Sequence, residues 1–536
     1  MSIATPPDMV VKNRFLGFLI WQSIPSTAIF LLSNTFVVSL FASDAISPIL
    51  RLFSTFFTFH LSQLIFSASL SVVSSPQPTP PASPIQLLFG LVRLLLSDST
   101  DLSIDFRRRA KVSLSFVLFV AASAFSGLVS VVPFFWVSGV DTDGLLMIGR
   151  VGIRGFVAGL LYGLFYIYKK RWVLEFPIIQ RPPFFSFKMG LPSALQRALE
   201  LSATASVFSA MLVIFLPQQF KDQVTVGNFI TEQIIFYLGC FSVFLCWELS
   251  HHLHQVLCTK RFIFAPPKGS AAAETNPSEP LLAALEESLP GSLLKYLAYL
   301  DLSMVCENNV DIWRRAALFE ETSETYKRVV TLCLRPLEQL AFKLSESLEG
   351  FSAEKSFQSA NPVQANDPRL DSNCSEPMNN FQLCAWCAQS VASLTARSHR
   401  EDRFGVAQLS GSNAAVMSAL LSCLLAVEAF MGKKTSLQPP HHLMGTGGIR
   451  WATTSTGRRD VRTAKRKGSL QYSKAFAMAD VLRTSIYGIV SAFHKEMLRS
   501  AKAGDLEKDW IDSGKPVFGT RELLVQKLHL FLDFRA

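Results

Sequence analysis

Three of the ionisable side chains inside the long apolar runs of this sequence are candidates for function, because charge there is costly and is often functional. They are His60, Arg150 and Arg154. A charged group within a bilayer marks a substrate path, an ion path or a proton relay by default. The two arginines are four residues apart, so they share one face of a helix. A single imidazole is more typical of a hydrogen-bonded packing residue than of a relay.

The two arginines also fit a structural role. Both lie near one end of their run, where a long side chain can carry its charge to the membrane interface. Acidic partners are available in Asp141, Asp143 and Glu232. Pairing and transport both remain open, and we favour pairing because dispersed charges make a poor pathway.

Other motifs with metal-binding or catalytic residue types have unsuitable spacing. His251, His252 and His254 precede Cys258 in a pattern that matches no common zinc site. Cys384 and Cys387 form one CxxC pair without a second pair or a βαβ context, which favours buried packing. The sequence contains no zinc-protease, nucleophile-elbow or phosphate-loop motif. We therefore predict a protein that is not an enzyme and has no cofactor or metal.

Six apolar runs must position these residues, each close to the roughly 20 residues that cross a bilayer. The chain has 536 residues, and only 17% of them are charged. We predict transmembrane spans at about 15–41, 49–73, 112–137, 145–168, 194–216 and 229–249. A further apolar run at 413–431 contains Glu428 and precedes a very basic tract, so we predict that it is a buried helix of a soluble region.

The charges between the spans predict an orientation. Short cytosolic segments of membrane proteins collect lysine and arginine. Here the cations cluster before span one, between spans two and three, between spans four and five, and after span six: Lys12, Arg14, Arg93, Arg107, Arg108, Arg109, Lys111, Lys169, Lys170, Arg171, Arg181, Lys188, Lys260, Arg261 and Lys268. Both termini and the second half of the chain are therefore predicted to be cytosolic. The net charge of +10 follows from this rule, so we expect no direct nucleic-acid binding.

The composition changes near Lys260 and predicts an all-α protein in two parts. Residues 1–260 form a six-span transmembrane domain, 261–280 a linker, and 281–536 a soluble α-helical domain. Within the last, segments near 352–378 and 432–470 are predicted to be disordered, and Pro336 is expected to kink or divide a helix. The basic tract Lys433–Lys467 either contacts anionic lipid or is a solvated linker.

Two further patterns concern the membrane. The run Ile85–Leu96 is too short to span, so it is an interfacial or re-entrant helix, or a short helix packed under the bundle. Gly155, Gly159 and Gly163 form a ladder of small residues that allows two helices to approach closely. The ladder is also a candidate surface for self-association.

A short motif after the linker resembles a known family. Tyr299-Leu-Asp301-Leu302, then Arg314-Arg315 and Phe319, is similar to the aromatic-x-Asp-Leu, Arg-Arg and Phe pattern of the transmembrane nucleoporins of the nuclear-division-cycle (NDC-one) family. The order of six spans, cytosolic termini and a helical domain of comparable length also resembles that family.

The resemblance implies a scaffold in the pore membrane of the nuclear envelope, which helps to insert or anchor nuclear pore complexes. It implies contacts with the bilayer, with inner-ring nucleoporins and with an ALADIN-type propeller subunit. We expect Asp301 and Arg314 or Arg315 to form an ion pair that joins helices and holds the fold. The alternative function is a transporter or channel with a cytosolic regulatory domain, which would use Arg150, Arg154 and His60.

Overall fold

A computed structural model describes residues 7–41, 49–83, 85–87, 104–138, 144–215, 226–267, 269–320, 323–358, 377–436 and 468–533. The described elements are helices, which confirms the predicted all-α fold. The closest approach to a sheet among these residues is one parallel bridge between Ser75 and Val173. The chain divides into an N-terminal unit, Thr5–Arg261 with Pro290–Leu294, and a C-terminal unit made from Phe262–Leu289 and the residues after Leu294.

Six long helices build the described part of the N-terminal unit. Their bounds are Pro7–Phe41 (α1), Ile49–Val73 (α2), Ile104–Ser138 (α3), Gly144–Tyr168 (α4), Pro183–Phe215 (α5) and Val226–Thr259 (α6). In lipid a backbone must satisfy its hydrogen bonds within its own segment, so an apolar run of this length forms a helix.

The N-terminal unit buries a cluster of aromatic side chains at its centre and exposes large apolar side chains on its outside. Helix α6 packs against α1, α3 and α5, and α3 packs against α2 and α4. The indole of Trp247 stacks on the ring of Phe66 with a centroid distance of 4.4 Å. Leu32 on α1 and Leu114 on α3 are 70% and 69% exposed. Large aliphatic groups that point outward from a helix bundle are typical of a surface that faces lipid.

Six described helices are long and apolar enough to cross a membrane. They are Met9–Leu40, Phe53–Val73, Phe106–Trp136, Gly149–Tyr168, Phe229–Thr259 and Ser412–Gly432. The first five correspond to predicted spans one to four and span six. The sixth is the run that the sequence assigned to a soluble region. A bent pair, Tyr472–Ala492 with His494–Ala503, would also qualify if it were one span.

Predicted span five lies in α5 but is not among these six. Its most apolar residues stand at the end of the predicted span, at and beyond the limit of the described side chains. The part before them carries Arg197 and Glu200. Outward-facing apolar residues do continue along α5, with Val207 and Phe208 both 58% exposed. The assignment of α5 as a span therefore stays a prediction.

The C-terminal unit contains the remaining helices. They are Ala271–Thr275 (α7), Glu279–Glu287 (α8), Leu293–Glu307 (α9), Ile312–Ala316 (α10), Glu324–Gln358 (α11), Phe381–Glu401 (α12), Val406–Leu409 (α13), Ser412–Ser436 (α14), Gly468–Ala492 (α15), His494–Ala503 (α16), Leu506–Trp510 (α17) and Arg521–Asp533 (α18), with 3₁₀ turns at Ala317–Phe319 and Pro377–Asn380. The longest of them, α11, α12, α14 and α15, pack side by side.

Helix α14 lies at the centre of this packing. It contacts α11, α12, α15, α17 and α18, all within the C-terminal unit. Its large apolar residues, such as Val416, Leu420 and Leu424, are fully buried, and no apolar side chain described in it is exposed. A core helix that is covered on all sides is apolar all round for the same reason as a transmembrane helix. Its burial therefore accounts for its composition without a bilayer.

The structure narrows one local expectation and contradicts two. Of the two outcomes expected at Pro336, division of the helix does not occur, because α11 continues from Glu324 to Gln358, and the kink stays a prediction. A proline at 336 leaves the carbonyl of Leu332 without its helical donor, and the hydroxyl of Tyr299 donates to that carbonyl at 2.9 Å. The prediction of disorder is also wrong for the first residues of both segments, since α11 includes residues 352–358 and α14 includes residues 432–436.

The rest of those predictions lies mostly outside the described residues. This holds for 359–376 and 437–467, and thus for most of the basic tract Lys433–Lys467. At the end of the second segment, α15 begins at Gly468, so residues 468–470 are helical. Of the run Ile85–Leu96, the structure describes only residues 85–87, which are helical.

Candidate functional site: buried charge clusters

The two arginines of predicted span four meet one carboxylate. Arg150 and Arg154 project from α4, and Glu232 projects from α6. The guanidinium of Arg150 donates to one oxygen of Glu232 at 2.5 Å, and that of Arg154 donates to the other at 2.6 Å. We call these three residues the Glu232 cluster. Of the three predicted acidic partners, Glu232 is the one observed, and Asp141 and Asp143 lie outside the described residues.

Further bonds surround Arg154, which is fully buried. Its Nε donates to the hydroxyl of Ser209 on α5, and its Nη2 donates to the amide oxygen of Gln233 at 2.8 Å. Its guanidinium carbon lies 4.0 Å from the ring centroid of Phe236. A guanidinium enclosed by a carboxylate, an amide, a hydroxyl and an aromatic face is fixed in place. The cluster therefore joins α4, α5 and α6.

A second buried carboxylate, Glu248 on α6, was not singled out from the sequence. Arg171, just after α4, donates to both of its oxygens at 2.6 and 2.7 Å. The hydroxyl of Tyr162 donates to it at 3.0 Å. We call these residues the Glu248 cluster. The available signal was an acidic residue near the end of an apolar run, with a basic segment predicted at the same membrane face.

The three neighbouring histidines bind three different groups. His251 Nδ1 lies 3.0 Å from the hydroxyl of Tyr166, and His252 Nε2 lies 3.1 Å from the carbonyl oxygen of Ser186. His254 Nε2 lies 3.4 Å from the sulfur of Cys258. The first contact joins α4 to α6, and the second holds the start of α5 on α6. The rings therefore do not converge on one point.

His60 occupies a packing position between α1 and α2. Its Nε2 lies 3.1 Å from the hydroxyl of Thr27. Its ring stands edge to face with Phe56, with a centroid distance of 4.1 Å. These partners of His60 lie on α1 and α2, whereas the Glu232 cluster is formed by α4 and α6.

The glycine ladder of α4 is covered by α3. A Cβ atom at position 155 would lie 2.5 Å from the carbonyl oxygen of Gly127, and one at 159 would overlap the carbonyl oxygen of Ser123. At 163 a Cβ would overlap the hydroxyl of Ser123. Only glycine permits such an approach of two backbones. The ladder is therefore used within the chain.

The family-like motif of the C-terminal unit forms a closed arrangement of charges. Arg314 donates to Asp301 at 2.7 Å, and both side chains are at least 98% buried. The second acceptor of Arg314 is the carbonyl oxygen of Phe264 at 3.0 Å, and the amide of Phe264 donates to Asp301 at 2.9 Å. We call this arrangement the Asp301 clasp. It fastens the segment after Arg261 to α9 and α10.

Arg315 binds a different carboxylate. Its Nε and Nη2 donate to the two oxygens of Glu401 at 2.7 and 2.8 Å. Its Nη1 donates to the carbonyl oxygen of Asn308 at 2.7 Å. Burial raises the pKa of the Glu401 carboxyl, but the hydrogen bonds and charge of Arg315, with those of Arg397, offset this and hold the pKa below its usual value. The pair joins α10 to the end of α12.

The remaining motif residues and the CxxC pair are core residues. Leu302 is buried, and Phe319 is buried and stacks on Tyr326 with a centroid distance of 5.6 Å. Cys384 and Cys387 are both buried, and burial raises the pKa of the Cys384 thiol to about 12. A buried thiol with a raised pKa carries little thiolate and reacts slowly.

The sequence matches the family model described as nucleoporin protein Ndc1-Nup. The matching residues are 153–381 and 369–498, which together exceed half of the chain. They include Arg154, Glu232 and Glu248, and also the Asp301 clasp. No curated protein sequence gives a match.

Proposed function

The chain belongs to the Ndc1-Nup family of nucleoporins, and from this premise we propose that it anchors the nuclear pore complex in the membrane and helps to insert it there. The family is a structural kind of protein, and the apolar helices fit a nuclear pore membrane protein that associates with other nucleoporins. The observation that carries the proposal is a bundle with outward aliphatic groups, joined in one chain to a helical unit with a core of its own.

The buried charges support an anchor. Each intramembrane arginine has Glu232 as its counter-charge, and Arg171 has Glu248. Paired charges that join helices stabilise one arrangement of a bundle, whereas a transport path needs groups that exchange partners with a substrate or ion. Replacing Arg154 with Leu should therefore reduce the yield of folded protein and reveal no flux in reconstituted vesicles. A conductance or uptake in wild-type vesicles that Arg154→Leu abolishes would favour the transporter or channel alternative.

We propose that both termini and the C-terminal unit lie on the cytosolic or pore-facing side. The alternation of loop charge supports this orientation. A protease added to sealed microsomes should digest the chain after about Arg261 and leave the N-terminal unit largely protected. Full protection of the C-terminal unit would contradict the orientation.

The C-terminal unit is proposed to dock inner-ring nucleoporins and an ALADIN-type subunit. Support comes from its size and from its own core, which give a rigid helical surface in the same chain as the apolar bundle. Cells depleted of the protein can be rescued with the full chain or with a version whose C-terminal unit is exchanged for an unrelated soluble domain. The exchanged version should reach the nuclear rim but fail to restore inner-ring nucleoporins there. Equal rescue by both would contradict docking through this unit.

A further inference from the structure

Helix α5 presents polar side chains on its outer face. Gln196, Arg197 and Glu200 are exposed, while Ala194 and Ala198 on the opposite face are buried. The amide of Gln196 donates to the carboxylate of Glu200 at 2.9 Å. Among the described residues, no ion pair involves Arg197 or Glu200, in contrast to the Glu232 and Glu248 clusters.

Two contacts fix the position of α5 along the axis of the bundle, and Gln196, Arg197 and Glu200 lie between them. The carbonyl of Ser186 meets His252 near one end, and Ser209 meets the Glu232 cluster near the other. Gln196 and Glu200 lie between these points and within predicted span five. A carboxylate there would face hydrocarbon if nothing covered it. Ionisable residues in membrane helices face protein or a watery cavity instead.

The pattern along this face is typical of a contact between membrane helices. Gln196, Glu200, Ala203 and Val207 follow one another at spacings of three and four residues, and all four are exposed. Such spacing places them in one row on the helix. Small residues allow close approach in membranes, and polar side chains hydrogen-bond across the contact.

We propose that this row, residues 196–207 of α5, is the surface through which a second copy of the chain binds. The inference rests on the proposed membrane insertion of the N-terminal unit. Every copy has the same orientation and depth in the bilayer, so a two-fold axis along the membrane normal brings identical segments together. Arg197 and Glu200 lie about one turn apart. Each copy therefore offers a cation and an anion to the anion and cation of the other.

The same geometry excludes the surface expected from the sequence. Gly155, Gly159 and Gly163 are packed against α3 and cannot accept a second backbone. Self-association through α5 leaves that internal contact intact. It also gives Glu200 a counter-charge, which no ion pair among the described residues supplies.

Charge reversal tests the proposal directly. The purified full chain is reconstituted in vesicles, and the fraction of dimers is measured by single-molecule photobleaching at several protein-to-lipid ratios. Arg197→Glu alone, or Glu200→Arg alone, places like charges on both copies and should weaken the dimer about tenfold or more. The double exchange Arg197→Glu with Glu200→Arg restores complementary charges and should recover most of the association. Glu274→Arg, an exposed change in α7, is the matched control and should have no effect.

Cross-linking adds a readout that does not depend on charge. Oxidation of native membranes should join two chains that carry Ala203→Cys, but not chains that carry Leu118→Cys on the exposed face of α3. A wild-type chain that remains monomeric, or single reversals that dimerise like the wild type, would overturn the proposal. Cross-linking of position 203 to a different membrane protein instead of a second copy would also overturn it.

Localisation separates this inference from the proposed function. A chain that reaches the nuclear rim but does not dimerise contradicts only the α5 surface. A chain that dimerises but does not reach the nuclear envelope contradicts the anchoring role.

Discussion

At the scale of single residues, buried arginines are held by carboxylates that lie far away in the sequence. Arg154 binds Glu232, Arg171 binds Glu248, and Arg315 binds Glu401. Removing one partner of a buried pair leaves an uncompensated charge, which costs more than the pair itself contributes. Replacing one residue of such a pair is therefore expected to destabilise the protein more than replacing both residues with apolar ones.

The Asp301 clasp gives the sharpest stability prediction. Asp301→Asn should leave the buried Arg314 without its close counter-charge and destabilise the C-terminal unit by about 3–5 kcal/mol. The matched control is Asp311→Asn, because Asp311 lies 3.9 Å from the same guanidinium and is less buried. Thermal unfolding of the full chain in detergent should show a large fall in Tm for the first variant and a small one for the second. Equal falls in Tm for the two variants would contradict the role of Asp301 as the main counter-charge of Arg314.

The lowered pKa of Glu401 predicts a dependence of stability on pH. A carboxyl whose pKa is lower in the folded state contributes stability above its unfolded pKa, and this contribution is lost as the pH falls through the folded value. Lowering the pH below 4.5, the ordinary pKa of a glutamate side chain, should therefore destabilise the C-terminal unit. Glu401→Gln should lower stability at neutral pH and reduce the further loss of stability at acid pH. Melting curves across this range measure both effects, and an unchanged acid slope in Glu401→Gln would exclude the pair as its source.

At the scale of helices, close packing of α3 on α4 depends on glycine at positions where a methyl group has no space. A Cβ at 159 would lie 3.1 Å from the Cα of Ala124 and would overlap the carbonyl oxygen of Ser123. A Cβ at position 17 of α1, also a glycine, would meet no atom within 4 Å. The two positions thus form a matched pair.

Alanine substitution should separate them. Gly159→Ala should force α3 and α4 apart and destabilise the bundle by about 1–3 kcal/mol or more. Gly17→Ala should be neutral or stabilise it by up to about 1 kcal/mol, since alanine favours a helix more than glycine does. Thermal inactivation monitored by size-exclusion chromatography in detergent compares the variants. A loss in Gly17→Ala as large as that in Gly159→Ala would show that general helix effects dominate.

The sequence predicted much of the helix order because run length and loop charge are local properties. Spans one to four and span six follow from apolar length alone, and Glu232 could be named as a partner because few acids lie near the arginines. Glu401 as the partner of Arg315 could not be predicted, since 86 residues separate them. The continuity of α11 through Pro336 was also beyond local reasoning, because the hydroxyl that satisfies Leu332 belongs to another helix.

At the scale of the whole molecule, two units with separate cores are joined in one chain. The N-terminal unit exposes large apolar groups and pairs the buried charges of α4 and α6 in the Glu232 and Glu248 clusters, as expected of charges within a bilayer. The C-terminal unit buries an equally apolar helix, α14, under its own neighbours. This division supports one part for anchoring and one part for docking.

Imaging of the full chain, tagged at its natural locus, measures whether the protein resides at the pore membrane. We expect a punctate signal along the nuclear rim that coincides with nuclear pore complexes. A uniform signal over the plasma membrane, or a soluble signal throughout the cytoplasm, would contradict the claim that this chain anchors the pore.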